Sequence, residues 1–128
     1  MALIDTNIRH INNEMTYYKE IKIAGLSVTL CYCYAVELMF RKASGVSIDA
    51  IDMGDPDHLV ALIVASAVAY STYSGAECPI SSEQLMYDAS PEDIIGAVSC
   101  VMSLREQWYN TGSLSNKKKV KEKKKATS

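Results

Sequence analysis

At 128 residues the chain has room for one domain and a tail, and its 48% hydrophobic content is that of a globular protein with a single core. The net charge of −2 hides an asymmetry: residues 1–112 hold six basic and 14 acidic side chains, a net of −8, whereas residues 113–128 carry about +6. An acidic body is poorly suited to grip nucleic acid by itself, and the longest apolar run, about a dozen residues, falls short of the ~20 that a membrane span needs.

The N-terminus, MALIDTNIRH, has an early acid and no continuous apolar region, unlike a signal peptide. The expectation is a cytoplasmic protein. Leu3, Ile4, Ile8, Ile11 and Met15 recur at roughly helical spacing, and Asn12 and Asn13 interrupt them. Residues 1–16 therefore read either as a helix docked on a neighbour or as a loosely ordered arm.

Tyr17 to Leu30 predicts a β-hairpin. Ile21 and Ile23 alternate with Glu20 and Lys22, and Val28 and Leu30 alternate with Ser27 and Thr29. Ala24-Gly25 between them offers a tight turn. A two-stranded hairpin is marginal alone, so its apolar face must lie on helices.

Cys33 to Ser44 predicts a helix stopped by Gly45, with Tyr34, Leu38 and Arg41 on one stripe and Val36, Met39 and Phe40 beside it. Arg41 and Lys42 suit the negative end of the helix dipole. Val46 to Ile51 then opens a short helix, with Ser47 as cap and Val46 packing on Ile51 as a staple.

Asp55 to Gly75 predicts the long central helix. Asp55 caps, Pro56 takes the first position, Asp57 favours the dipole, and Gly75 stops it. From Leu59 to Tyr70 only Ser66 is polar, so other elements must wrap this helix on most sides. A Ser in such a place bonds back to a carbonyl more often than it attacks a substrate.

Ile80 to Leu85 starts a short helix ending near Asp88, with a Ser81–Gln84 capping box and an Ile80–Leu85 staple. Ser90-Pro91-Glu92-Asp93 starts the last helix, expected to reach about Tyr109. Ile94, Val98, Val101, Arg105 and Trp108 share its stripe, with Ile95, Met102 and Tyr109 alongside. Gly96 reads as room for close packing. From Gly112 the composition shifts to Gly, Ser, Asn and then Lys117, Lys118, Lys119, Lys121, Lys123, Lys124 and Lys125, which predicts a disordered basic tail over 113–128.

No reaction is announced. Cys31, Cys33, Cys78 and Cys100 form no paired CxxC knuckles and read as small core residues; a zinc site from Cys31, Cys33 and a distant ligand is the alternative. Asp49, Asp52, Asp55 and Asp57 lack the glycine and closing glutamate of a calcium loop and read as caps and solubilising groups. His58 reads as a solvated helix-start residue rather than a catalytic base. With no phosphate loop, nucleophile elbow or HExxH, the expectation is a non-enzyme with no metal and no cofactor.

The order of elements is the most specific feature. A hairpin is followed by ELMFRKASG, SIDAIDMGDP, HLVALIVASAVAYSTYSG, ISSEQLMYDA, SPEDIIGAVSCVMSLREQWYN and a charged tail. Over roughly residues 19–112 this resembles the tail assembly chaperones of long-tailed bacteriophages and prophages. The resemblance implies a protein that binds the long helical tape measure protein while the tail tube polymerises around it. It also implies a longer product made by translational frameshifting near the C-terminus, where the lysine run stands. The expected fold is mainly α: a small helical bundle around an apolar central helix, with an N-terminal hairpin. Tyr17, Tyr18, Tyr34, Phe40, Trp108 and Tyr109 are the candidate partner-binding anchors. Other tail proteins and a second copy of the chain are further candidate partners. The alternative is a small nucleic-acid-associated or regulatory helical protein acting through the lysine tail.

Overall fold

The structure, a computed structural model, describes residues 17–112. The expectations for residues 1–16 and for the lysine run lie outside the described residues.

Strands β1 (Tyr18–Ile23) and β2 (Leu26–Cys31) pair antiparallel with Ile23 opposite Leu26, so the connecting turn is the two residues Ala24-Gly25. Both have positive φ, 53° and 79°. That is the geometry of a two-residue turn whose twist matches the strands. Ile23, Val28 and Leu30 are buried, whereas Glu20, Lys22 and Ser27 face out.

Helix α1 (Tyr34–Ser44) starts after Cys33 and ends at Gly45 in the left-handed conformation. A single 3-10 turn, Ile48–Ala50, follows. Ser47 precedes it without a side-chain capping bond, and Ile48 is the buried anchor.

Helix α2 (Pro56–Ser74) is bounded as its sequence predicts: the Asp55 carboxylate accepts from the Asp57 N–H, and Gly75 takes φ 79° at the C-cap. Helix α3 (Ser82–Asp88) carries the full Ser81–Gln84 capping box, with Ile80 and Leu85 both buried. Helix α4 (Pro91–Gly112) starts on a reciprocal pair: Ser90 Oγ accepts from Asp93 N–H, and Asp93 Oδ2 accepts from Ser90 N–H. The protein is thus mainly α with a small N-terminal hairpin. No helix among the described residues is long and apolar enough to cross a membrane.

Helix α2 packs against α1, β2, α4 and α3, and β1 leans on α4. The core joins Leu62, Ile63 and Ala67 of α2 to Val36 and Phe40 of α1, Val28 and Leu30 of β2, and Ala97, Val98 and Val101 of α4. Several expectations are corrected by this packing. Phe40 is fully buried and serves as core filling, not as a surface anchor. Ile95 is 63% exposed, because α4 turns Ala97 and Leu104 inward instead. Gly96 faces open space, where an added methyl would touch nothing, so it makes no close approach. Ser66 bonds across to β2 rather than back along its own helix.

Candidate functional site

One flank of α2 is covered by no element among the described residues. Val60, Ala61, Val64 and Val68 recur at helical spacing and are half-buried, whereas Leu62, Ile63, Ser66 and Ala67 on the other sides are enclosed. The open flank forms the floor of a groove of about 650 Å3. Met39 and Ala43 of α1 make one wall, Ser82 and Met86 of α3 the other, and Asp55, Asp57 and His58 close the end at the start of α2. A second depression of about 470 Å3 lies beyond α3, lined by Leu59, Leu85, Ile94 and Ile95 among others. The two share Val60 and Met86, so apolar surface continues around the short helix.

The polar groups at the groove's end already have structural work. Asp55 caps α2. His58 is not solvated as expected: its side chain is 14% exposed, its Nδ1 accepts from the Asp52 N–H, and its Nε2 lies 3.5 Å from Asp55. The imidazole also stands edge-on to Phe40, at 6.0 Å. Asp52 holds the Gly54 N–H, and Asp49 pairs with Arg105. These carboxylates therefore cap and brace the turn into α2. The rest of the groove is an apolar floor, two methionine side chains, the two serines Ser44 and Ser82, and one acidic end.

A second surface lies at the far end of α4. Arg105 sits in the apolar stripe of α4 and reaches across to α1. Its Nε is 3.1 Å from Glu37 Oε2 and its Nη2 2.9 Å from Asp49 Oδ1. Glu37 also accepts from the Tyr32 hydroxyl and, at 2.8 Å, from the Tyr109 hydroxyl. Arg105 further donates to the Tyr32 oxygen and lies 4.9 Å over the Tyr109 ring. Burial alone pushes Glu37 upward; the hydrogen bonds from Tyr32, Tyr109 and Arg105 together outweigh it and hold the carboxyl below its ordinary value. Burial also lifts the Tyr32 phenol, and its bond to Glu37 adds to this.

This charged knot carries an aromatic cap. Trp108 packs on Tyr32, Tyr34 and Tyr109 with ring centroids 5.0–5.4 Å apart. Tyr34 and the neighbouring Leu38 are 66% and 63% exposed. Three of the expected anchors, Tyr34, Trp108 and Tyr109, thus come together. The Tyr17 carbonyl accepts from the Tyr32 N–H at 3.0 Å, and Tyr18 stands against Tyr70 of α2. The Arg105–Glu37–Asp49 knot was not foreseen; the signal for it was an arginine inside the otherwise apolar series Val98, Val101, Arg105.

The chain finds no match among protein-family models, curated proteins or solved structures.

Proposed function

We propose that this protein is a non-enzymatic tail assembly chaperone of a bacteriophage or prophage, which binds the tape measure protein in the cytoplasm of the bacterial host. We read its fold as a small bundle around α2. The observation that carries the reading is the open flank of that helix. Val60, Ala61, Val64 and Val68 form a floor one helix wide, between walls that include Met39 and Met86. A long client whose own helices are amphipathic would otherwise expose its apolar stripes until the tube encloses them. Laying one such stripe along this floor removes it from water. The methionines suit a series of non-identical client segments, because an unbranched thioether adapts to different shapes. Several copies bound along one client would gain avidity. The order of elements, from hairpin to last helix, supports the same reading.

The test is co-expression with the tape measure protein encoded in the same phage or prophage genome. The chain should keep that client soluble and co-purify with it. Val64→Lys, which puts a charge on the floor, should abolish both effects. Tyr87→Lys, on the 82% exposed side of α3, should not. A client that stays insoluble beside the wild-type chain, or is rescued equally by Val64→Lys, sinks the reading.

A further inference from the structure

We propose that two copies of this chain join through the outer edges of their β1 strands, merging two hairpins into one sheet across a two-fold axis. The register of the hairpin identifies that edge. Ile23 and Leu26 flank the two-residue turn, so they exchange main-chain bonds, and bonded pairs recur at every second position along the ladder. The Tyr32 N–H on the Tyr17 carbonyl, at 3.0 Å, continues the alternation. Tyr18, Glu20 and Lys22 fall between these pairs, so their N–H and carbonyl groups point away from β2. On the far side of the hairpin, the corresponding groups of Cys31 are taken by Ser66 of α2. On the β1 side no further strand follows among the described residues, and none of those residues bonds to the main chain of Glu20 or Lys22. Such a row of unpaired groups accepts another strand.

The side chains of the edge select which strand. Glu20 and Lys22 stand two positions apart on one face of the sheet, and both are exposed. Thr29 and Ser27 lie opposite them on β2, so the hairpin neutralises neither charge. Neither enters an ion pair among the described residues. Charges on a sheet edge ordinarily turn other strands away. These two are complementary to themselves read in reverse. When two β1 strands run antiparallel about an axis through Ile21, Glu20 of each copy lies opposite Lys22 of the other. Each such pair exchanges both of its main-chain bonds and sets opposite charges side by side. Ile21, half-buried, meets its own counterpart on the other face. Moving the axis to Glu20 sets glutamate against glutamate, and moving it to Lys22 sets lysine against lysine, which is destabilising. The partner that fits this edge is therefore a second copy in one register.

A two-stranded hairpin is marginal by itself, and joining two of them lengthens the ladder that each shares. The same edge serves both copies, so the assembly closes as a dimer. No residue that lines the α2 groove lies on β1. Each copy thus brings its own groove to the dimer, and a client with repeated apolar helices would be held at two points. The pairing goes beyond the tape measure reading and does not depend on it.

The experiment is sedimentation velocity on the full-length chain across the micromolar range. The wild type should show a monomer–dimer equilibrium. Glu20→Lys sets lysine opposite lysine, and Lys22→Glu sets glutamate opposite glutamate; each should weaken association at least about tenfold. Both positions are exposed, so circular dichroism of each variant should match the wild type. The decisive arm mixes the two variants. One chain is then positive at both positions and the other negative, so the mixture should form a heterodimer although neither variant pairs with itself. Glu20→Pro, which removes an outward N–H and leaves the bonds to β2 in place, should also be monomeric. A wild type that stays monomeric, single variants that dimerise as the wild type does, or a mixture that fails to pair overturns the proposal. Capture of the tape measure protein plays no part in these measurements, so either idea can fail while the other stands.

Discussion

The hydroxyl of Ser66 accepts the backbone N–H of Cys31 at 2.8 Å and donates to the carbonyl oxygen of the same residue at 2.7 Å. Cys31 sits opposite Tyr18 in the register, so both of its main-chain groups point away from β1. They would be unpaired inside the core if α2 presented only aliphatic side chains there. The Cys31 thiol adds a third link, lying 3.5 Å from the Ser66 carbonyl. The one polar interruption of the apolar run is thus what joins α2 to the hairpin.

Replacing Ser66 with alanine should therefore cost far more than the loss of one hydroxyl. Two fully buried main-chain groups lose their partner at once, and each orphan costs about 1–3 kcal/mol. A loss of about 3 kcal/mol, read as a lower urea midpoint, is expected. Ser71→Ala is the matched control. Ser71 donates only to the Ala67 carbonyl four residues back, which belongs to the helix ladder, so its loss should stay under about 1 kcal/mol. Equal losses at the two sites would refute this account of Ser66.

The hairpin turn holds an alanine where the backbone prefers another residue. Ala24 has φ 53°, and its N–H donates at 3.0 Å to Asp93 Oδ2, which ties the turn to the start of α4. Ala24→Asn keeps that N–H and supplies a residue that tolerates the left-handed region, followed by Gly25. Stability should rise by about 0.5–1 kcal/mol, or a few degrees in Tm. A drop in Tm would mean that the half-buried methyl of Ala24 matters more than its backbone strain.

Local signals were legible in the sequence because their causes are local. The Ser81–Gln84 box, the Asp55 cap, the Ala24-Gly25 turn and the Gly75 stop each depend on residues within a few positions of one another. The open flank of α2 was not legible in the same way. Val60, Val64 and Val68 read identically whether a neighbour covers them or a groove does, and only the placement of α1 and α3 decides. Phe40 and Tyr34 likewise share one helix, and which faces outward depends on where α2 lies. The Arg105 knot joins residues 56 and 68 positions apart, beyond the reach of any spacing rule.

Cys33 should be the most reactive of the four thiols at neutral pH. It stands at the start of α1, where the neighbouring Cys31 thiol and the N–H groups of Ala35 and Val36 favour the anion. The Cys31 thiol is the largest influence; burial opposes it, and the balance pulls Cys33 down to about 6 from an ordinary 9.0. The nearby Cys33 sulfur, together with burial, drives Cys31 the other way. Alkylation by iodoacetamide, followed by mass spectrometry, should label Cys33 first, with a rate that rises through pH 6 and levels off near 7. Cys31→Ser should move that rise upward. Labelling that starts only above pH 8 would contradict the assignment.

The Arg105–Glu37 pair should set much of the acid limb of stability. Glu37 is held below its ordinary 4.5 in the folded chain, so the unfolded chain binds more protons in the interval between the two values. Its contribution is fully present above pH 4.5 and is lost as pH falls through the folded value. Removing the cation with Arg105→Leu leaves Glu37, 23% exposed, with its desolvation uncompensated by a charge. At pH 7 that should cost about 1–3 kcal/mol. The Tyr32 and Tyr109 hydrogen bonds still favour the anion, but without Arg105 the carboxyl is held down less, so the variant's stability should fall less than that of the wild type between pH 5 and pH 3. Glu37→Gln should likewise flatten this limb, while the Arg105–Asp49 contact persists in it. Urea unfolding at a series of pH values measures all three chains. Parallel acid limbs for wild type and Arg105→Leu would show that Glu37 is not held down by this knot.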